Sequence, residues 1–212
     1  MSTPSLPQRV GWWAHTLMSL AQRGLHFSRD PHDRANFDRV LKIAAEMRAA
    51  LDDVPAPDIE RRWREEPSLN GPLPAVDAAI FDAQGRILLI QRADDGLWAM
   101  PGGMVDAGET AAEAACRETW EETGLTVRPT ALMGVWDSRF CGTATTWQLY
   151  QAVFQCEPVA GEPGPSDETL DACWFDPDAL PPLSPGHANR IAYAITFYRS
   201  PEPTAYFDRP AL

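Results

Sequence analysis

The sequence is poor in basic residues, with 18 lysines and arginines against 30 aspartates and glutamates among 212 residues, and its net charge is -12. Proteins that track DNA or RNA use a basic surface to neutralise phosphates. We therefore expect no nucleic-acid partner. A small phosphorylated substrate remains compatible with the acidic balance, because a bound divalent cation can supply the positive charge that the side chains lack.

Cysteines and long apolar runs are also scarce. The four cysteines are widely separated and form no C-x-x-C pair: Cys116, Cys141, Cys156 and Cys173. This spacing argues against a disulfide framework or a zinc site and is typical of a reducing cytoplasm. The longest apolar runs, at 78–81 and 87–90, are far too short to cross a bilayer. The N-terminus does not resemble a signal peptide, so we expect a cytoplasmic protein with no membrane partner.

The first third of the chain is predicted to be helical. Apolar residues recur at steps of three and four over Trp12–Phe27 and again over Pro31–Leu51, where Asp30 is a candidate N-cap. A charged stretch, Asp58–Glu66, follows. The segment Pro67–Pro74 is rich in proline and glycine. We therefore predict a helical N-terminal unit with its linker over residues 1–70 and a main domain over 71–212.

The pattern of the main domain mixes strands and helices. Alternation and apolar content predict strands at Val76–Phe81, Arg86–Gln91, Leu132–Trp136, Thr146–Cys156 and Ala172–Phe175. The first two strands are expected to form a hairpin, and a loop over 92–105 follows it. A helix is predicted at Thr110–Thr123, stopped by Gly124, and another at Pro185–Tyr198. This order indicates a layered α+β domain.

Three acidic residues share one face of the Thr110–Thr123 helix. With about 100° per residue, Glu122 lies about 40° and Glu121 about 300° from Glu118. Like charges at this spacing destabilise a helix, although acidic helix faces are most often simply solvated. A bound cation would relieve the repulsion, and an all-oxygen ligand set suits Mg²⁺, with Mn²⁺ as a substitute.

The residues around this helix follow a fixed pattern. It reads G-x5-E-x7-R-E-U-x-E-E-x-G-U, where U is a bulky aliphatic residue, and it is matched by Gly103, Glu109, Arg117, Glu118, Glu121, Glu122, Gly124 and Leu125. A match of this kind arises by chance about once in 10⁸–10⁹ placements at average amino-acid usage.

The pattern resembles the Nudix box, the signature of hydrolases that cleave nucleoside diphosphates linked to another moiety. The resemblance implies an α/β/α sandwich with a mixed sheet. It also implies that Glu121 and Glu122 hold the metal ions together with the backbone carbonyl of Gly102, and that Glu118 is a further ligand or helps to activate water. The first aliphatic position of the box holds Thr119. We expect its hydroxyl to bond to a carbonyl one turn earlier.

The same resemblance implies roles outside the three acids. Arg117 would orient the glutamates, paired with Glu109 or Glu113. Many family members add an acidic residue from a later loop, and Glu168 occupies that region, where an ordinary acidic loop is the alternative. The four histidines show no ligand spacing and are expected to be structural or exposed. Trp136 and Phe140 are candidates for stacking on a nucleobase, with core packing as the alternative.

The N-terminal run from Gly24 to Arg34 resembles the helical domain that one bacterial branch of Nudix hydrolases carries. This branch is ADP-ribose pyrophosphatase-like, with CDP-choline hydrolysis as another type. The resemblance implies ADP-ribose as the first substrate and CDP-choline as the second. A Nudix-fold protein that senses a nucleotide without cleaving it is the alternative of a different class. We also expect the helical unit to form a homodimer and to help shape the substrate pocket, because two short helices bury little alone. The alternative is a helical pair that folds back on its own domain in a monomer.

Overall fold

The computed structural model describes residues 4–65, 71–106 and 108–209. Contacts between Cα atoms divide the chain into two compact units. The smaller unit holds the N-terminal helices through Leu73 and also residues 144–148, and the larger holds 74–143 and 149–212. The predicted linker Pro67–Pro74 lies partly outside the described residues, and its last two residues already belong to a strand. Within the described ranges no helix is both long and apolar enough to span a membrane.

Three helices make up the smaller unit: α1 (Leu6–Phe27), α2 (Pro31–Ala49) and α3 (Ala56–Glu65). Helix α1 begins before the predicted Trp12 because Ser5 forms a capping box with Gln8. Asp30 caps α2 as predicted, but that helix ends at Ala49 instead of Leu51.

Helix α3 was not predicted, since the stretch that forms it is mostly charged. It is held by the buried Ile59 and by Trp63, which packs against the α1–α2 core. Arg64 forms ion pairs with Glu60 in its own helix and with Asp38 of α2. Polar contacts to α2 therefore accompany the small apolar face.

Residues 144–148 pack with these helices, which corrects the predicted start of a strand at Thr146. The guanidinium of Arg48 donates to the Thr146 hydroxyl at 2.9 Å and lies 4.0 Å from the ring centre of Trp147. Gly11 makes room for Thr146, because a Cβ at position 11 would lie 2.5 Å from the Thr146 Cβ. The strand begins only at Leu149, after the segment 144–148.

The larger unit has two sheets. The first, in the order β1-β5-β4-β7, is mixed, because β4 pairs antiparallel with β5 and parallel with β7; the second, in the order β3-β2-β6, is antiparallel. The strands are β1 (Leu73–Ile80), β2 (Ile87–Arg92), β3 (Trp98–Ala99), β4 (Thr126–Asp137), β5 (Leu149–Ala160), β6 (Thr169–Phe175) and β7 (Tyr206–Phe207). Strands β4, β5 and β6 are longer than predicted, and the two-residue strands β3 and β7 were not predicted.

The predicted β1–β2 hairpin is wrong. The two strands belong to different sheets and share only the isolated bridge between Phe81 and Ile87. Both strands are buried almost throughout. Each strand pairs instead with other strands, β1 with β5 and β2 with β3 and β6.

Helices cover both faces of the sheets. Helix α4 (Ala111–Thr123) packs against one apolar cluster, which includes Val76, Ala78 and Leu88, and helix α5 (His187–Arg199) packs against the other, which includes Ala79 and Leu89. Alternate residues of β1 and β2 thus point to opposite helices, as strand geometry requires. The α+β prediction of an α/β/α sandwich is confirmed.

Candidate active site

Helix α4 is sharply bounded at both ends. The hydroxyl of Thr110 accepts the backbone N–H of Glu113 at 3.2 Å, and the Glu113 carboxylate accepts the N–H of Thr110 at 2.7 Å. This capping box satisfies two of the free donors at the start of the helix. At the other end Gly124 has a φ of 74°, the left-handed conformation that glycine adopts without strain. The acids of the helix are therefore presented from a well-defined backbone.

The inner face of α4 is made of small residues packed on the sheets. Ala114 and Ala115 are fully buried, and so is Thr119 at the position where the family pattern has an aliphatic residue. The Thr119 hydroxyl donates to the Ala115 carbonyl at 2.7 Å. The predicted bond one turn earlier is confirmed, and it explains how a hydroxyl is buried here at little cost.

Arg117 joins three glutamates. Its Nε and Nη2 donate to the two carboxylate oxygens of Glu109 at 3.1 and 2.7 Å, which is a bidentate contact. Its Nη1 donates to Glu118 at 3.0 Å and to Glu121 at 2.9 Å. These acceptors raise the pKa of Arg117 above its usual value. Of the two expected partners the structure selects Glu109, since Glu113 is used in the cap.

The segment 101–103 lies directly on strand β1. The N–H groups of Val76 and Ala78 donate to the carbonyls of Gly103 and Pro101 at 2.9 and 2.8 Å. A Cβ on Gly102 would lie only 2.1 Å from the Val76 carbonyl oxygen, so no larger residue fits. The N–H of Gly102 donates to the Glu122 carboxylate at 2.8 Å, which joins this segment to helix α4.

Gly103 makes room for a second acid. A Cβ at this position would lie 2.5 to 2.7 Å from the carboxylate atoms of Glu118. Gly102 therefore lies close against strand β1, and Gly103 leaves space for a carboxylate of α4.

The acids influence one another strongly. The pKa of Glu122 is raised to about 8, mainly by burial and also by the nearby carboxylates of Glu118 and Glu168, whereas the Gly102 N–H opposes the shift. Burial also raises the pKa of Glu118, against the opposing effect of Arg117. Glu168 is exposed just before β6, and the Thr169 hydroxyl next to it donates to the Glu122 carbonyl at 2.7 Å. The fold thus brings the predicted Glu168 to the acids of the box.

The donor types at this site fit a hard cation. Carboxylate oxygens and a backbone carbonyl are the ligands that Mg²⁺ prefers. In the part of the chain that the structure describes, no three acidic, histidine or cysteine side chains already lie close enough to hold a metal ion together. The hydrogen bonds explain this, because Arg117 holds Glu118 and Glu121 while the Gly102 N–H holds Glu122. A cation would compete with these partners for the carboxylates.

The two aromatic candidates for stacking on a nucleobase, Trp136 and Phe140, differ in their exposure. Trp136 is buried and stacks on Tyr206 with ring centres 4.5 Å apart, so it is a core residue and not a free platform for a base. Phe140 is exposed, with the guanidinium of Arg139 5.2 Å from its ring centre. Trp98 lies in β3 and makes an edge contact with the ring of Phe175.

Sequence reasoning missed a charged group next to the site. Asp77 lies inside the apolar β1 strand, is almost fully buried and raises the pKa of Glu122 through its charge. It forms an ion pair with the fully buried Arg190 of α5. A charged residue within an otherwise apolar strand was the available signal. The sequence did not show its partner, because the two residues are far apart along the chain.

These features define an α/β/α hydrolase fold with an acidic helix and a glycine segment facing it. A profile described as the NUDIX domain matches residues 71–194, and one described as a UDP-X-like, N-terminal oligomerisation domain matches residues 9–63. The chain belongs to the Nudix hydrolase family, and it is an enzyme of that family by this match.

Individual relatives agree with this assignment. The chain is 31% identical to YjhB of Bacillus subtilis (strain 168), named provisionally as an ADP-ribose pyrophosphatase, over 92% of this chain and 95% of YjhB. The crystal structure of an ADP-ribose pyrophosphatase from Streptococcus suis 89-1591 matches with a TM-score of 0.58 and 30% identity, covering 65% of this chain and all of the other. A UDP-X diphosphatase structure shares the fold over 90% of this chain and 94% of its own, with a TM-score of 0.59 and 24% identity.

Proposed function

We propose that this protein hydrolyses the pyrophosphate bond of a nucleoside diphosphate derivative in a Mg²⁺-dependent reaction, with ADP-ribose, giving AMP and ribose 5-phosphate, as the first substrate. The observation that carries the proposal is the group of mutually repelling carboxylates, Glu118, Glu122 and Glu168, beside the Gly102 segment. The names of the Bacillus and Streptococcus relatives support ADP-ribose. CDP-choline or another nucleoside diphosphate derivative is the alternative.

The metal ligands in this proposal are Glu118, Glu121 and Glu122 with the backbone carbonyl of Gly102. Bound Mg²⁺ would supply charge neutralisation for the diphosphate and lower the pKa of a water molecule, and Mn²⁺ would substitute for it. The raised pKa of Glu122 supports this role, because a nearby cation favours the charged form that burial disfavours.

The other residues of the box act on the acids. Arg117 orients Glu118 and Glu121 and is itself fixed by the bidentate contact with Glu109. In this proposal Glu168 would accept a proton from the attacking water, and its exposure and its electrostatic influence on Glu118 support this role. Glu118 is the second candidate for this base.

The test is a panel of nucleoside diphosphate derivatives, including ADP-ribose, CDP-choline and a UDP-sugar, incubated with Mg²⁺ while released monophosphates are measured. The preferred substrate should be cleaved by the unmodified protein, and Glu122→Gln should lower turnover by orders of magnitude. Glu157→Gln is the matched control, because Glu157 is an exposed acid of β5 that pairs with Arg128, and it should retain full activity.

A nucleotide sensor without hydrolytic activity is the competing class. It predicts saturable binding of one member of the panel with no released monophosphate at any concentration of Mg²⁺ or Mn²⁺. The complete set of box acids disfavours this outcome, since a sensor gains nothing from their mutual repulsion. Binding without turnover would refute the enzymatic proposal.

We also propose that the helical unit forms a homodimer through α1. Four large apolar side chains of this helix are exposed at intervals of seven residues: Leu6 (59%), Trp13 (49%), Leu20 (48%) and Phe27 (72%). Intervals of seven place side chains along one line of a helix, the spacing used by paired helices. Trp12, next to Trp13, is partly buried. The description of the matching N-terminal profile as an oligomerisation domain supports the proposal.

Light scattering coupled to size exclusion tests the dimer. The unmodified chain should elute as a dimer, and Trp13→Glu and Leu20→Glu should each elute as a monomer. Val159→Glu, which changes an equally exposed apolar residue of β5, should remain dimeric. A monomeric unmodified chain at micromolar concentration would refute the proposal.

We also propose a cytoplasmic location. All four cysteines are free thiols, which supports a reducing compartment.

A further inference from the structure

The apolar core between α5 and the sheets contains an ion pair. Arg190 is 0% exposed and Asp77 is 3% exposed, and the Arg190 Nε lies 2.7 Å from the Asp77 carboxylate. The same guanidinium donates to the Gln151 side-chain carbonyl at 2.7 Å and lies 3.2 Å from the His187 Nε2. Both Nη groups of Arg190 therefore have polar partners, whereas its Nε and the facing Asp77 oxygen meet as an ion pair without hydrogen-bond geometry.

Stability does not explain this pair. Moving two charges out of water is costly, and apolar residues of similar volume in the same place are often as stable or more so. Burial also raises the pKa of Asp77, against the opposing effect of Arg190. A buried pair that apolar residues could often replace without loss of stability calls for another role, and the best attested one is to select a single arrangement of the elements that it joins.

The elements joined here carry the proposed metal segment. Asp77 lies between Val76 and Ala78, the two residues whose N–H groups bind the carbonyls of Gly103 and Pro101. Gly102 lies so close to this strand that a Cβ on it would be 2.8 Å from the Asp77 Cα. Any shift of Asp77 along or across β1 would therefore move the Gly102 backbone.

A second contact reaches the same segment from α5. The His187 Nδ1 accepts the N–H of Met100 at 3.4 Å, one residue before Pro101. Because His187 and Arg190 lie three residues apart on the first turn of α5, they face the same side of the helix. Helix α5 thus contacts Met100 through His187 and contacts β1 through the ion pair of Arg190 with Asp77.

We infer that Asp77 and Arg190 are positioning residues of the proposed metal centre, and that their ion pair fixes β1 and the 100–103 segment so that the Gly102 carbonyl and the Glu122 carboxylate converge on one cation. The inference rests on the proposed function. Asp77 does not contact the cation in this arrangement, and its effect is transmitted through the strand backbone and the Gly102 N–H bond to Glu122.

The experiment measures Mn²⁺ affinity without substrate, by titration calorimetry or electron paramagnetic resonance. The double variant Asp77→Leu/Arg190→Met removes both charges and leaves no unpaired ion, so it is expected to fold. Its Mn²⁺ affinity should fall by about 10- to 100-fold, the usual effect of removing a group that orients metal ligands. The Mg²⁺ concentration for half-maximal activity should rise in parallel, while kcat at saturating Mg²⁺ stays within about threefold.

Arg48→Met/Asp52→Leu is the matched control, because Arg48 is also a buried arginine paired with an aspartate and lies in the helical unit. It should leave Mn²⁺ affinity unchanged. A thermal unfolding curve of each variant accompanies the titration. If the Asp77/Arg190 double variant does not fold, Arg190→Lys, which keeps the charge but not the forked contacts, should show the same loss of affinity in smaller degree.

The outcomes separate the two proposals. If the unmodified chain binds Mn²⁺, and Glu122→Gln abolishes this binding while the Asp77/Arg190 variants do not weaken it, the metal centre is real and the positioning role is refuted. If the unmodified chain binds no Mn²⁺, the metal centre itself fails and the positioning role fails with it. Weakened binding in the Asp77/Arg190 variants alone, with the control unchanged, supports the inference.

Discussion

Glu122 should make the stability of the metal-free protein depend on pH. Its pKa is about 8 in the folded chain, against 4.5 for an ordinary glutamate. Between these two values the folded state binds a proton that the unfolded state has released, so stability is fully present below pH 4.5 and is lost as the pH rises towards 8. The shift of about 3.5 units, at about 1.36 kcal/mol each, sets an upper bound of about 5 kcal/mol on the loss.

Glu122→Gln removes the titrating group while its amide oxygen can still accept the Gly102 N–H. The variant should therefore equal the unmodified protein at pH 5 and exceed it at pH 8 in metal-free buffer. For a chain of this length about 1 kcal/mol moves the midpoint of thermal unfolding by about 2–4 °C, so the upper bound corresponds to about 10–20 °C. The other acids share the repulsion, and an observed gain of half this size is consistent with the mechanism.

The assay is thermal unfolding from pH 5 to pH 9 in the presence of a chelator. Glu121→Gln is the control, because this acid of the same helix is more exposed and an exposed ion pair contributes little; its curve should run parallel to that of the unmodified protein. Added Mg²⁺ should stabilise the unmodified protein at pH 8 and should have little effect on Glu122→Gln. Parallel pH curves for Glu122→Gln and the unmodified protein would refute the assignment of burial as the cause.

Four substitutions test the local geometry. Gly102→Ala places a Cβ 2.1 Å from a backbone carbonyl of β1 and should lower the free energy of unfolding by about 1–3 kcal/mol or more; a wild-type melting point would contradict this packing. Gly103→Ala meets only the flexible carboxylate of Glu118, so calorimetry should find the fold intact and kinetics should find turnover reduced. Arg117→Met should lower kcat by about 100-fold, because Glu118 and Glu121 lose the arginine that orients them. Unchanged steady-state kinetics would refute this orienting role of Arg117. Thr119→Val should change the free energy of unfolding by less than about 1 kcal/mol in thermal unfolding, since the Ala115 carbonyl retains its helical N–H partner.

The acidic helix could be predicted from local information. Thr110, Glu113 and Gly124 are cap residues whose effect depends only on their immediate neighbours. The helix ends at Thr123 as predicted and begins at Ala111, one residue later than predicted. The small residues Ala114, Ala115 and Thr119 likewise form its buried face. The bidentate partner of Arg117 was narrowed to two residues, and the choice between them followed from the use of Glu113 in the cap.

Pairing between strands could not be predicted in this way. Strands β1 and β2 are close in sequence, separated by a turn, and apolar throughout, and these features favour a hairpin. The structure places them in different sheets, where β1 pairs with β5 and β2 pairs with β3 and β6. The local pattern of apolar residues does not specify which strands become neighbours. The start of β5 was missed for a related reason, since residues 144–148 pack with the helical unit and not with the strand that follows them.

The sequence by itself determined which residues form the acidic helix, its caps and the glycines before it, because helix periodicity and capping are local properties of the chain. Only the tertiary structure decided that Glu168 reaches Glu118 and Glu122, and that Asp77 and Arg190 meet beneath the Gly102 segment. These contacts join residues that are distant in the sequence, and their energies depend on burial, which exists only once the sheets and helices have packed together.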